Sequence, residues 1–444
     1  MSPNRDILKI IVLDDDPTGI QTVSGCLLLA SWDAENIRDA LCDKVDFFFI
    51  LTNTRALTFE EAARRTADIM KTVLAANESL GFRMLFISRS DSTLRSHFPL
   101  EVGVMKRACE LQTNVLIDGI FVAPQLFEAG RITSGNIQYV VQNGVRTPVA
   151  NTEFARDSVF GYENSDLRKY IEEKSGGNIP AADVKSVTLY DLRHLSQNEL
   201  TNQLLLINRG VYVIVNSEGY TDIDRFTEAF ERVVRGGKRF LLHGSASVVK
   251  SLTGIPDKEL LQRSDMITST APGVIIAGSF VSKTTNQLRQ LLEDENTVGI
   301  EVDVMKIPGE TEELIEDVTS QIEQTIAKKK TPVMFTSRTE RTFASPEERL
   351  AFGREVSGVL VAVVQKITGK IGYLIVKGGI TAADILTKGL NVDRVRVKGQ
   401  ILPGVPVVQT PFSCRFPTIP YVIFPGNVGK ESALLDAFHI LSDA

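Results

Sequence analysis

The sequence predicts an α/β protein of two domains, each a largely parallel sheet flanked by helices. Three observations lead there. Compact apolar runs of strand length alternate with amphipathic helical patterns in both halves of the chain, the rhythm of parallel sheets covered on both faces. A polar stretch, Gly254 to Gly273, holds two prolines and two glycines and ends in Thr-Ser-Thr-Ala-Pro-Gly. Its end reads as a linker. The 444 residues also exceed a single domain, at roughly 150 residues for each. The domains are expected over 1–265 and 270–444.

In the first half, Lys9 to Leu13, Val45 to Leu51 and Met84 to Ile87 are strands buried on both faces. Thr58 to Asn77 is an amphipathic helix opened by Thr58 and Glu61 at capping-box spacing. Val211 to Val215 and Arg239 to His243 are strands around a helix near Asp222 to Arg235. In the second half, Val274 to Ala277 precedes a helix through Glu293, Val298 to Val302 one through Lys328, and Pro332 to Phe335 one through Thr368. Gly372 to Val376 leads to a short helix from Thr381, and a terminal helix starts from Gly429. Trp32 and Phe47-Phe48-Phe49 are expected in the core. Arg232 to Arg239 reads as a solvated helix end, and Lys328-Lys329-Lys330 as a helix C-terminus, where cations complement the dipole.

Composition excludes several classes. With 43% hydrophobic and 23% charged residues the chain is an ordinary globular one. Its 49 basic and 55 acidic residues give −6, without the basic footprint of a nucleic-acid binder. The longest apolar run, Val359 to Val364, is six residues, against about 18 for a membrane helix. No signal peptide is visible, so a cytoplasmic protein with no membrane and no nucleic-acid partner is expected. The cysteines (Cys26, Cys42, Cys109, Cys414) and histidines (His97, His194, His243, His439) are scattered without metal-ligand spacing. No GxSxG elbow occurs. The chemistry is expected to rest on Asp, Arg, Ser, Thr and backbone amides.

Ligands of open parallel sheets gather at the carboxyl ends of strands, so the informative residues are those that follow each run. After Leu13 comes Asp14-Asp15-Asp16-Pro17-Thr18-Gly19. Three successive carboxylates repel unless solvent, a cation or ligand hydroxyls absorb the charge. After Leu51 comes Thr52-Asn53-Thr54-Arg55, and after Ile87 comes Ser88 to Arg95 with Arg89, Asp91, Ser92 and Arg95. Phe121 to Ala123 is followed by Glu128-Ala129-Gly130-Arg131-Ile132-Thr133, read as loop. Arginine forks suit a carboxylate, and Ser, Thr and Asp suit sugar hydroxyls. Each segment alone is an ordinary turn; four together describe a pocket for a small, polyhydroxylated anion.

In the second half, Ala277-Gly278-Ser279, Lys377-Gly378-Gly379-Ile380-Thr381 and Phe424-Pro425-Gly426-Asn427-Val428-Gly429-Lys430 each join a strand to a helix. Glycine there lets backbone amides approach phosphate oxygens at a helix N-terminus. Neither GxxxxGK[ST] nor GxGxxG is present. Three such turns in one domain favour a nucleotide-phosphate site.

These motifs resemble the four-carbon acid sugar kinase family, formerly a domain of unknown function, in order and over nearly the whole chain. Asp15-Asp16-Pro17-Thr18-Gly19 is similar to its DDxTG, Asp91-Ser92-Thr93-Leu94-Arg95 to its DSTLR, and Gly130-Arg131 with Thr133 to its GRxT. Gly278-Ser279 with Thr284 resembles GSxxxxT, Pro403-Gly404-Val405-Pro406 matches PGVP, and Gly426-Asn427-Val428-Gly429 resembles GNFG. The resemblance implies an acid-sugar domain (1–265), an ATP-binding domain (270–444) and phosphoryl transfer in the cleft between them, onto the terminal hydroxyl of a threonate- or erythronate-like acid. Ile380 stands where many members have an acidic residue (GGDT), and Ser96 where a glycine usually follows DSTLR.

On that reading Asp16 or Asp91 accepts the hydroxyl proton. Asp15, Arg55, Ser92, Arg95 and Arg131 bind substrate, and Ser279, Gly378, Gly379, Ile380, Thr381, Gly426, Asn427 and Gly429 bind ATP. Mg²⁺ bridges phosphate oxygens, its protein ligands left unassigned. A homodimer is among the assemblies left open. The competing readings are a kinase of a larger or modified acid sugar and a non-catalytic acid-sugar and nucleotide sensor. A nicotinamide oxidoreductase is disfavoured, because no dinucleotide fingerprint follows the first strand.

Overall fold

The computed structural model describes residues 7–442 except 257, 268, 280, 308 and 339–341. The chain divides into two compact units, Met1–Asp15 with Trp32–Pro256, and Asp16–Ser31 with Asp257–Ala444.

In the first unit the described residues form a parallel sheet in the order Phe47–Leu51, Leu8–Asp14, Arg83–Arg89, Phe240–Gly244, Gly119–Ala123, Val211–Val215, Lys185–Val187. All seven residues of the Leu8–Asp14 strand are buried, as a near-continuous apolar run requires of a central parallel strand. The helix Phe59–Glu78 starts at the expected capping box: the Thr58 amide donates to Glu61 Oε2 at 2.9 Å, and the Glu61 amide to Thr58 Oγ1 at 3.4 Å. Phe121, Phe226, Phe230 and Phe240 pack ring against ring at 4.8–5.5 Å, which fastens the helix Tyr220–Arg235 to the sheet. Phe47 to Phe49 are core. Trp32 is half-buried instead, with the Arg65 guanidinium 5.7 Å from its ring.

The segment read as loop around Arg131 is a strand, Arg131–Ser134, in an antiparallel meander with Ile137–Gln142 and Val145–Pro148. Gly130 turns the chain into it at φ +71°, and a Cβ there would collide with the Val141 carbonyl oxygen.

In the second unit the order is Thr297–Val302, Thr331–Thr336, Val274–Ala277, Leu374–Lys377, Pro420–Phe424, Val405–Gln409, Arg394–Leu402, Leu27–Leu29. The first five are parallel and the last pairings antiparallel. Residues 16–31 are held here by strand pairing and by the bonds Gly25 N–H to Val397 O at 2.8 Å and Arg396 Nη1 to Gly25 O at 2.7 Å. The stretch before the Val274 strand is partly built in: Met266 is a core residue, and the Leu261 amide donates to Gln400 O. Residues 257 and 268 of that stretch lie outside the described residues.

Gly130 joins two constraints, a left-handed φ and a backbone collision. Gly130→Ala is expected to cost about 1–3 kcal/mol, lowering the melting temperature by roughly 2–10 °C. An unchanged melting curve would show that this turn relaxes freely.

Candidate functional site

The parallel registers put the motifs side by side. Asp14 is level with Leu51 and with Arg89, and Gly244 with both Arg89 and Ala123. The segments after these strands therefore leave the sheet at one height. Within this unit the Leu8–Asp14 strand lies between Phe47–Leu51 and Arg83–Arg89, the next two strands of the unit in sequence, which flank it on opposite sides, a topological switch point of the kind at which open sheets bind ligands.

The three aspartates do not share one environment. Arg89 Nη1 lies 3.1 Å from Asp14 Oδ1 and 3.4 Å from Asp15 Oδ1. Arg55 forks onto Asp15, Nη2 to Oδ1 at 2.7 Å and Nε to Oδ2 at 3.3 Å. Asp16 belongs to the second unit and caps the turn Pro17–Ile20, accepting from the Thr18 amide at 2.7 Å.

Asp91 sits within an arginine cluster. Its Oδ2 accepts from Arg95 Nε at 2.7 Å and from Thr93 Oγ1. Burial acts to raise its pKa. The charges of Arg95 and Arg55 and these hydrogen bonds outweigh burial and hold the carboxyl well below the usual range. Leu94 adopts φ +67°, a conformation that needs external support in a branched residue. Two tyrosines supply it: Tyr162 donates to Thr93 O at 2.7 Å and Tyr170 to Leu94 O at 2.9 Å. Gln138 holds the carbonyl of buried Ser92 at 2.9 Å. His243 stands between Ser88 and Ser90, its nitrogens 3.1 and 3.0 Å from their hydroxyls. Burial keeps it neutral, its pKa pressed to about 3.

Arg95 and Arg131 share the ring of Phe154, at 5.0 and 5.8 Å. Arg131 is buried and gives one N–H to Ala129 O, yet among the described residues its Nε has no hydrogen-bond partner and no carboxylate pairs with it. A buried guanidinium with spare donors suits a ligand carboxylate.

Sequence reading overlooked Glu101, which lies in the first turn of the helix Leu100–Thr113, a place where acids are ordinarily solvated. Its carboxyl is buried and accepts from Thr54 Oγ1 at 2.6 Å. Burial and the charge of Asp15 push its pKa up to about 8, against Thr54 and Arg55.

In the second unit Ala277 is level with Lys377, and Lys377 with Phe424, so the three glycine turns leave the sheet together. They touch: a Cβ on Gly278 would collide with Thr381 Oγ1, one on Gly378 (φ +112°) would meet Ser279 Cβ at 3.1 Å, and one on Gly426 would meet Ser279 Oγ at 2.9 Å. Thr284 Oγ1 donates to Ser279 Oγ at 3.2 Å and lies 3.3 Å from Gly426 O. A Cβ on Gly379 would strike the Asp16 carboxylate. The third turn, with half-buried Asn427 at its centre and Gly429 at φ +88°, is secured by Gln287, whose amide donates to Val428 O and Lys430 O. Ile380 is 37% exposed. Three cations not singled out from sequence border these turns: Lys283 bonds Gly429 O at 3.3 Å, Arg338 bonds Ser279 O at 2.7 Å, and Lys377 bonds Pro425 O at 2.9 Å.

Two units of distinct polar chemistry thus stand at the ends of two sheets, one rich in arginine and carboxylate and the other in glycine turns, a two-domain α/β architecture. Comparison with known families agrees: residues 10–252 match the sugar-binding N-terminal domain, and residues 274–434 the nucleotide-binding C-terminal domain. The chain belongs to the family with this architecture, that of the four-carbon acid sugar kinases. Similar folds include a Salmonella typhimurium LT2 protein provisionally described as a tRNA synthase (17% identity, 97% of this chain and 98% of that one, TM-score 0.66). Another is Haemophilus influenzae protein HI1011 of the DUF1537 family (17% identity, 97% and 100%, TM-score 0.61). No match to a curated protein was found. Among the described residues no helix is long and apolar enough to cross a membrane.

Glu101 provides a test of the buried electrostatics. Its folded pKa is raised above 4.5, so between pH 4.5 and about 8 the native state binds more protons than the unfolded one and stability falls as pH rises. Glu101→Gln, which keeps the acceptor for Thr54, should match wild type at pH 4 and exceed it at pH 8–9, by on the order of a few kcal/mol. Parallel stability curves over that range would refute the raised pKa.

Proposed function

We propose that the protein is an ATP-dependent kinase that phosphorylates a four-carbon acid sugar, threonate- or erythronate-like, on its terminal hydroxyl. The carrying observation is the Asp16 carboxylate lodged against Gly379 in the glycine turns. Asp16, the second aspartate of the DDxTG-like segment, thus brings a carboxylate to the turn whose next residue is Ile380. That favours turnover over a sensor that only binds both ligands.

The arginines and Asp91 bind the acid sugar. Arg131 takes the substrate carboxylate, with Arg95 beside it across Phe154, while Arg55 orients Asp15 through its fork. Ser92 and Asp91 are hydroxyl ligands. A carboxylate held as acidic as Asp91 is a weak proton acceptor. The base is therefore assigned to Asp16.

The amides of Gly378, Gly379, Ile380, Thr381, Gly426, Asn427 and Gly429 cradle the ATP phosphates. Mg²⁺ needs only one or two protein oxygens, the rest coming from phosphates and water. Among the described residues no cluster of three acidic or sulfur and nitrogen ligands is placed for a metal, whereas the hydroxyls of Ser279 and Thr381 border the same turns. They fit that modest demand and would hold the ion, which supplies charge neutralisation on the phosphate oxygens.

ATP consumption should be measured across threonate, erythronate and longer acid sugars. A four-carbon acid should give the highest kcat/KM; stimulation by none of them would overturn the kinase reading. Asp16→Asn should lower kcat by roughly 10²–10⁴-fold with the fold intact. Asp91→Asn should act mainly through KM for the acid sugar. The reverse pattern would exchange the two roles.

A further inference from the structure

Lys377 has an unusual position. It ends the strand Leu374–Lys377, its side chain is fully buried, and it precedes the glycine pair of the second turn. Its Nζ donates to Pro425 O at 2.9 Å and lies 4.1 Å from the centre of the Phe424 ring. Among the described residues no carboxylate pairs with it, and the charge it senses is that of Lys283, another cation. One carbonyl and one ring face leave an ammonium with unsatisfied donor capacity. A buried charge without a counter-ion is strongly unfavourable. Evolution has cheaper ways to fill such a space, since methionine has nearly the same length and no charge.

Lys377 bonds one glycine turn and is chain-adjacent to another, and these two turns and the Ser279 turn touch each other. An anion bound over them would come to the side of the lysine. We propose that Lys377 is a phosphate-binding residue whose missing counter-charge is the phosphate chain of the bound nucleotide. This rests on the nucleotide-kinase reading above and adds to it a cation to which the sequence alone assigned no role. Burial and Lys283 depress the basicity of the amine, so an anion arriving at the turns restores the charged form. Phosphoryl transfer gains from such a cation, because its barrier is lowered chiefly by positioning and charge neutralisation.

The test compares wild type, Lys377→Met and Lys377→Gln by calorimetric titration with AMP, ADP and ATP, and by thermal melting with and without nucleotide. Glutamine keeps a donor for Pro425 O but carries no charge. Both variants should bind ATP roughly 10- to 100-fold more weakly, the range of a lost charge-assisted hydrogen bond, and AMP within about twofold of wild type. The nucleotide-free melting temperature of Lys377→Met should equal or exceed that of wild type, because a buried amine with unsatisfied donors has been replaced by an apolar side chain of similar length. Equal weakening toward all three nucleotides, or a lowered nucleotide-free melting temperature in both variants, would make Lys377 a structural residue and overturn the proposal. Unchanged ATP affinity in both variants, with wild type binding normally, would overturn the lysine's role alone. Absence of nucleotide binding by wild type would overturn both that role and the kinase reading.

Discussion

The organisation of both halves depends on register. Parallel strands paired without slippage end at a common height, and whatever follows them is gathered without further instruction. In the first unit Asp14, Arg89, Gly244 and Ala123 share that height; in the second, Ala277, Lys377 and Phe424 do. A one-residue slip would turn every side chain to the opposite face. Burial on both faces prevents it in the central strands, of which Leu8–Asp14, Val274–Ala277 and Leu374–Lys377 are buried along their whole length. The polar segments that follow can therefore be rich in charge and glycine without endangering the fold.

Charge in these segments is handled by separation rather than by exposure. Asp14 is served by Arg89, Asp15 by Arg55 and Arg89, and Asp91 by Arg95 and Thr93. Each buried carboxylate without its partner would carry a desolvation penalty of several kcal/mol. The result is a graded set: Asp91 is held acidic, while Glu101, facing Asp15, is held protonated far into the neutral range. Arg131 and Lys377 depart from the pattern, because among the described residues neither makes a direct ion pair with a carboxylate, although the charge of Asp91 reaches Arg131. Both lie where a ligand is expected, one at the arginine cluster and one at the glycine turns.

Much of this was legible in the sequence, for reasons that can be named. The helix Phe59–Glu78 combined a strong apolar period with a capping box, two local signals that agree. Strands such as Val211–Val215 and Val274–Ala277 were apolar runs bounded by glycine or a polar residue, and their limits were read correctly. The Arg131 strand was missed because its companions in the meander are short, half-exposed and rich in polar residues. Trp32 was placed in the core on hydrophobicity alone, although its ring is half-covered beside Arg65. Glu101 and Lys377 were invisible for a different reason. Their character comes from neighbours remote in sequence, Asp15 and Thr54 for one, Pro425 and Phe424 for the other, and no local pattern encodes burial.

The assignment of residues 16–31 to the second unit is the same kind of fact, with more consequence. DDxTG reads as one motif, yet Asp15 packs with the first unit and Asp16 with the second. Strand pairing of Leu27–Leu29 with Arg394–Leu402 and the Gly25 and Arg396 bonds are long-range pairings that composition cannot reveal. Their effect is to bring Asp16 to Gly379, where a side chain as small as alanine would displace it. Read along the chain, Ile380 is a lost acid. Read in space, a carboxylate stands one residue away and reaches the turn from the other end of the sequence. With Ile380 beside Gly379, the carboxylate at this turn is the one that Asp16 supplies.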